Sequence, residues 1–288
     1  MRQKISDYWE LTKPGVTFMV VISTLGGFYL ASDGGPDFVR LLHTLLGSWL
    51  VAAGTNAMNQ FVEREYDRSM KRTMNRPLPA GRLQANHVLV FAAAISVIGT
   101  LYLGFATNPL TGLLAALTFT CYIFIYTPMK RITSWSTVIG AVPGALPAMG
   151  GWVAVTGTVA PEAWILFGIL FFWQLPHFLA IAWIYRDDYE RGGFKVFPLT
   201  DSEAYFQTSF HIVANCIALI AVSALPSIVG ITGHIYLAGA LILGSVFLIA
   251  GVQMVVHKNN QYAKKLLFAS IAYLPILMLL MFLDKIPT

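Results

Sequence analysis

The stretch NQFVEREYDRSMKRTMNRP, Asn59 to Pro77, follows directly on an apolar run, VRLLHTLLGSWLVAAGTNAM, Val39 to Met58. A helix rises about 1.5 Å per residue, so a run of roughly 20 apolar residues crosses the ~30 Å of hydrocarbon in a bilayer. The stretch behind it carries three acids and five bases. Hydrocarbon would not accept them, so they belong at a membrane face or in a cavity. A bilayer-length helix that ends in both signs of charge therefore sets the class of the protein and points to where its chemistry lies.

The rest of the chain agrees. Its 288 residues are 56% hydrophobic and 11% charged, with a mean hydropathy of +0.65. A soluble domain carries roughly 25% charged residues, so the sequence reads as an all-α, polytopic membrane protein. Nine spans are expected, near 15–32, 39–61, 87–106, 109–127, 136–156, 162–184, 207–229, 235–256 and 267–283. Eight spans follow the first, which is therefore expected to be a retained anchor and not a signal peptide. Gly26-Gly27, Pro143, Pro147, Pro176, Pro226 and Pro275 fall inside spans, where they are tolerated and can mark kinks that line a cavity.

Of the 19 basic residues, only Arg40 and Lys285 fall outside the N-terminus and the connections after spans 2, 4, 6 and 8. This bias makes the N-terminus and those connections cytoplasmic and puts the C-terminus on the opposite side. It also accounts for the net charge of +5, so nucleic-acid binding is not indicated. Cys121 and Cys216 sit far apart in apolar runs and read as buried small hydrophobes, and the sequence contains no CxxC or HExxH pattern.

Continued as a helix, the second span puts Asn59, Glu63 and Asp67 on one stripe, with Glu65 on roughly the opposite side. An amide and two carboxylates one turn apart offer the hard oxygens that Mg²⁺ prefers. Arg68, Lys71, Arg72 and Arg76 come close behind and suit phosphate oxygens. Acids alone would fit a cation channel and bases alone a lipid-headgroup patch, whereas the two together fit a metal–diphosphate. On the residues alone, a solvated loop whose acids pair with neighbouring bases is an equal alternative.

Two further stretches lie on the same face. Tyr126 to Arg131, YTPMKR, closes span 4 with Lys130 and Arg131 and no local acid, which is also what a simple topology signal looks like. The stretch WQLPHFLAIAWIYRDDYERGGFKVFP, Trp173 to Pro198, places His177 inside span 6. Asp187, Asp188 and Glu190 stand at the end of that span, and Lys195 follows Gly192-Gly193. His177 is either a packed hydrogen-bonding residue or part of a cavity. The neighbouring Pro176 and the aromatics Phe171, Phe172, Trp173, Phe178 and Trp183 favour the cavity. Acid-bearing ends after spans 2 and 6, with basic clusters after spans 4 and 8, hint at an internal repeat.

At these residues the sequence resembles the UbiA-type intramembrane prenyltransferases. Asn59, Glu63 and Asp67 match their N-x-x-x-D-x-x-x-D motif, with Glu63 standing where Asp is usual. The R-T-x-x-R-P-L at Arg72 to Leu78, the Y-x-x-x-K-R at Tyr126 to Arg131 and the W-Q-x-P-H-F at Trp173 to Phe178 resemble the branch that farnesylates haem B. So do the D-Y at Asp188-Tyr189 and the G-x-K-x-x-P at Gly193 to Pro198. The resemblance covers essentially the whole chain and implies one prenyltransferase domain over 1–288, with nine membrane helices around a central cavity.

It further implies farnesyl diphosphate and haem B as substrates and Mg²⁺ held by Asn59, Glu63, Asp67 and Asp188, with Asp187 alongside. Lys130 and Arg131 would act in catalysis, helped by Arg72, Arg76 and Lys195, as the diphosphate leaves. Tyr126 and Trp173 would contact substrate, and His177 would lie near the haem. The product, haem O, would serve terminal oxidases, making a haem A synthase or a terminal oxidase a partner, in the bacterial cytoplasmic membrane. The rivals are prenyl transfer to a quinone precursor or chlorophyll-type acceptor and, in another class, secondary transport. Transporters place ionisable groups near the midplane, whereas here nearly all lie at one face.

Overall fold

Proline and capping side chains set where the helices begin. In the computed structural model, which describes residues 2–195 and 202–287, Pro14, Pro109 and Pro161 open helices. A missing N–H costs nothing at that position. Asp37 accepts hydrogen bonds from the Val39 and Arg40 N–H groups at 3.0 and 3.1 Å, and Asn259 from the Tyr262 N–H at 3.1 Å. These caps satisfy donors that the first turn leaves free.

The helices are α1 (Arg2–Leu11), α2 (Pro14–Ala31), α3 (Phe38–Asp67), α4 (Ala85–Ala106), α5 (Pro109–Thr120), α6 (Thr127–Met129), α7 (Ser136–Thr156), α8 (Pro161–Ile184), α9 (Arg186–Arg191), α10 (Ser202–Ile228), α11 (His234–His257) and α12 (Asn260–Leu283). A π-helical turn, Cys121–Tyr126, joins α5 to α6, and the three form one span. Among the described residues nine helices are long and apolar enough to cross a membrane, the number expected. Outward-facing Phe105, Phe210 and Ile242 suit lipid.

Helix α3 runs unbroken through the charged stretch to Asp67, the continuation that the stripe required. The last span differs from the sequence reading: α12 begins at Asn260, ahead of the apolar run, because Lys264 and Lys265 are helical too. The short α1, unread in the sequence, buries Asp7 and Leu11 and exposes Ile5 and Trp9. Arg82, from the α3–α4 connection, is ion-paired with Asp7 and with Glu10 and ties α1 down.

Helices α2 and α7 approach most closely at glycines. A Cβ at Gly27 would overlap the Ala148 carbonyl, and one at Gly151 the Thr24 carbonyl. Small residues of this kind drive close packing in lipid, where no hydrophobic force pulls helices together. Gly27 is thus a contact and not a kink. Pro143, Pro147 and Pro275 do face a central apolar cavity of about 530 Å³, bounded chiefly by α2, α3, α5, α7, α8 and α12. The described parts of α10 and α11 pack outside it.

Candidate active site

Because α3 stays helical to Asp67, Asn59, Glu63 and Asp67 stack on one buried face. Each meets a cation from a different segment. Lys13 Nζ donates to Asn59 Oδ1 at 3.1 Å, Lys130 Nζ to Glu63 Oε1 at 2.7 Å, and Arg76 to Asp67 Oδ2 at 2.7 Å. Asp67 Oδ1 is buried without a partner. Glu65 points outward and pairs with Arg64 at 3.4 Å and Arg68 at 2.7 Å. The outer face of the charged stretch thus pairs with neighbouring bases in its own helix turn, while the inner face pairs with cations brought from other segments.

Lys13 counted in the sequence only towards topology. It sits between α1 and α2 in the left-handed conformation, φ 46°, which turns its side chain under the stripe. Burial, with Arg76 adding repulsion, lowers its pKa to about 7. Lys130 is half-buried, and Glu63 outweighs the desolvation penalty and holds its pKa well above the ordinary value.

The stripe lines a polar chamber of about 200 Å³ that also takes in Arg72, Arg76, Tyr126 and Lys130. The Arg72 guanidinium stands 5.1 Å from the Tyr185 ring and 5.7 Å from the Tyr189 ring. Lys130 Nζ lies 4.6 Å from the Tyr126 ring. Tyr126 is delivered by the π turn, a device common at functional sites, and Gly140 makes room for it, since a Cβ there would collide with the ring. The chamber adjoins the apolar cavity. Lys13, Tyr122, Tyr126, Phe178 and Ile181 line both.

Trp173 and His177 line the apolar cavity with their rings stacked at 5.0 Å and 21°. Both are anchored to Ser270 of α12: Trp173 Nε1 donates to its carbonyl at 2.8 Å, and His177 Nδ1 lies 2.7 Å from its hydroxyl. Gln174, between them in sequence, also lines the cavity. Gly144 accommodates its amide, because a Cβ there would overlap Gln174 Oε1.

The two acid-bearing segments come together, though not as a common set of metal donors. Asp188 accepts the Lys71 and Arg72 backbone N–H groups at 3.1 Å each and pairs with Arg191. It braces the α3–α4 connection and does not line the polar chamber. Asp187 is exposed and lies 3.7 Å from Arg186. Arg68 pairs with Glu65, Lys71 is exposed, and Arg131 lies on the Tyr66 ring at 4.1 Å. The Lys195 N–H donates to the Lys130 carbonyl at 2.7 Å while its side chain is exposed. Pro198, which ends the last motif, lies outside the described residues.

The inner donors fit a hard divalent cation: two carboxylates and an amide oxygen on one face, with one carboxylate oxygen buried and unpartnered. Among the described residues no group of three or more His, Cys, Asp or Glu side chains gathers. The protein would supply few ligands and leave the rest to water or phosphate, which is how Mg²⁺ is usually held.

A cation-rich chamber beside an apolar one, within a bundle of membrane-spanning helices, has the chemistry to suit an amphiphile with an anionic head and a hydrocarbon tail. The spans make the protein a multi-pass integral membrane protein. The UbiA prenyltransferase family profile matches residues 20–274, and the chain belongs to that family. It is 44% identical to the protoheme IX farnesyltransferase of Solibacter usitatus (strain Ellin6076) over 97% of this chain and 98% of that protein. It is 41% identical to the protein of the same name from Salinibacter ruber (strain DSM 13855 / M31) over 96% and 98%.

The fold is similar to that of a digeranylgeranylglyceryl phosphate synthase structure, with a TM-score of 0.79 at 20% identity over 98% of each chain. It is also similar to that of a UbiA homolog from Archaeoglobus fulgidus solved with GPP and Mg²⁺, with a TM-score of 0.64 at 13% identity over 96% of this chain and 99% of that one.

Proposed function

We propose that the chain transfers the farnesyl group of farnesyl diphosphate to a vinyl group of haem B, giving haem O and diphosphate. Full-length relatives at about 40% identity named protoheme IX farnesyltransferase support this reading. The observation that carries it is the adjacency of the two chambers, which share Lys13, Tyr122, Tyr126, Phe178 and Ile181 as lining. A diphosphate held at the stripe projects its tail and its reacting carbon towards the space that holds the acceptor.

Asn59, Glu63 and Asp67 would hold Mg²⁺, which would supply positive charge against the diphosphate oxygens. Lys13, Lys130 and Arg76, paired with the stripe, stand within reach of a diphosphate held there and would exchange those partners for its oxygens. Arg72 adds a further cation. Charges already in position where negative charge builds up are commonly the largest catalytic contribution. The carbon–oxygen bond of the farnesyl ester breaks with its electron pair going to diphosphate. The terminal vinyl carbon bonds to the freed carbon, the inner vinyl carbon takes up water, and one proton is released. The faces of Tyr122, Tyr126 and Phe178 shield the allylic cation by cation–π contact, worth ~2 kcal/mol when desolvated. No side chain is required as a covalent nucleophile.

The polar chamber opens on the side that carries nearly all the bases, the cytoplasmic side of a bacterial inner membrane by the positive-inside bias. That face is accessible to a water-borne diphosphate. The test is to supply the purified protein with farnesyl diphosphate, Mg²⁺ and either haem B or 4-hydroxybenzoate. Haem O from the first mixture and no prenylated product from the second is the expected outcome, and the reverse overturns the assignment.

A further inference from the structure

Ser270 is fully buried on α12, and its hydroxyl oxygen has two close neighbours: the Leu267 carbonyl at 2.6 Å and His177 Nδ1 at 2.7 Å. A serine hydroxyl has one proton and a carbonyl can only accept. Were that proton turned to His177, two oxygens would face each other at 2.6 Å with nothing between them. The proton therefore goes to Leu267, the Ser270 oxygen accepts, and His177 carries its own proton on Nδ1.

Trp173 secures the ring from the side, stacked on it at 5.0 Å and itself hydrogen-bonded to the Ser270 carbonyl. His177 Nε2 makes no hydrogen bond to the described residues, and His177 lines the apolar cavity. What the cavity receives is thus one oriented nitrogen lone pair from α8, in walls that are mostly apolar. An imidazole whose other nitrogen donates a hydrogen bond is fixed in tautomer and orientation, and is the better ligand for it.

We propose that Ser270 is a positioning residue for the acceptor: it locks His177 in the Nδ1–H tautomer so that Nε2 meets the iron of the incoming haem. The proposal rests on haem B being the acceptor, as inferred above. Ser270 touches neither substrate nor reacting atoms.

The test is titration of ferric haem B into the purified wild-type, Ser270→Ala and His177→Ala proteins without farnesyl diphosphate, followed by the Soret band and by electron paramagnetic resonance. Wild type should bind haem with an imidazole-ligated spectrum that His177→Ala lacks. Ser270→Ala should bind about 10-fold more weakly, with a mixed spectrum in which the imidazole-ligated form is only a part. A wild-type affinity and spectrum in Ser270→Ala, beside a changed His177→Ala, would overturn the role of Ser270 alone and leave the haem reading standing. An unchanged His177→Ala would overturn the ligand and with it the proposal. No haem binding by wild type would overturn the acceptor assignment itself.

Discussion

Asp188 holds the backbone of Arg72: its Oδ2 accepts the Arg72 N–H at 3.1 Å while Oδ1 takes the neighbouring Lys71 N–H at the same distance. Burial alone would raise the pKa of this carboxyl, but Arg191 and the two N–H groups outweigh it and hold the group below the ordinary carboxylate range. The bond therefore stands at neutral pH, begins to fade below the ordinary value of 3.8, and is lost only in stronger acid. Through it the second acidic segment sets where Arg72 stands in the polar chamber.

Asp188→Asn should loosen this brace. Hydrogen bonds to a charged group contribute ~1.5–3 kcal/mol, so the KM for farnesyl diphosphate should rise about tenfold or more. Amide hydrogen exchange at residues 70–73 should quicken. The Mg²⁺ concentration for half-maximal rate should stay the same. A raised Mg²⁺ requirement would instead make Asp188 a metal ligand, the role the sequence led us to expect.

Glu63→Gln and Asp67→Asn should each lower kcat by about 100-fold or more, as removal of transition-state charge stabilisation does elsewhere. Both proteins should still insert, because Lys130 and Arg76 can turn to water or lipid phosphate at the chamber mouth. Binding of Mn²⁺, substituted for Mg²⁺ and read by electron paramagnetic resonance in the presence of farnesyl diphosphate, should weaken in both.

Lys13→Met removes the charged residue common to the two chambers. It should lower kcat/KM for farnesyl diphosphate about 10- to 100-fold, the equivalent of one charged hydrogen bond. Haem B affinity, measured by titration, should not change. Lys13→Arg, which keeps the charge, should recover part of the loss.

Gly144→Ala would force the Gln174 amide to move into the apolar cavity. Overpacking of this kind costs ~1–3 kcal/mol. The effect should appear as weaker haem B binding, with farnesyl diphosphate binding left intact, in parallel titrations of the two substrates.

The spans and the stripe were legible because both are local. Runs of apolar residues mark each crossing, and the four-residue spacing of Asn59, Glu63 and Asp67 needs only a helix to bring them together. What stayed hidden lies in contacts between distant segments. Lys13 reaches Asn59 across 46 positions and Asp188 reaches Arg72 across 116. Ser270 meets His177 across 93 and carries no mark in its own neighbourhood. The outward residues Arg68, Asp187 and Lys195 looked like site residues because charge density, unlike direction, is visible in a sequence. For Arg131, only the fold reveals that it rests on Tyr66.

If one intramembrane cavity joins a farnesyl chain to haem, mass analysis of the pigment formed when the purified protein in lipid nanodiscs receives haem B, farnesyl diphosphate and Mg²⁺ will show it. Haem O and released diphosphate should form in equal amounts, and about 100-fold more slowly with Asp67→Asn. Haem B recovered unchanged from an active preparation that prenylates another acceptor, or an Asp67→Asn protein as active as wild type, would contradict it.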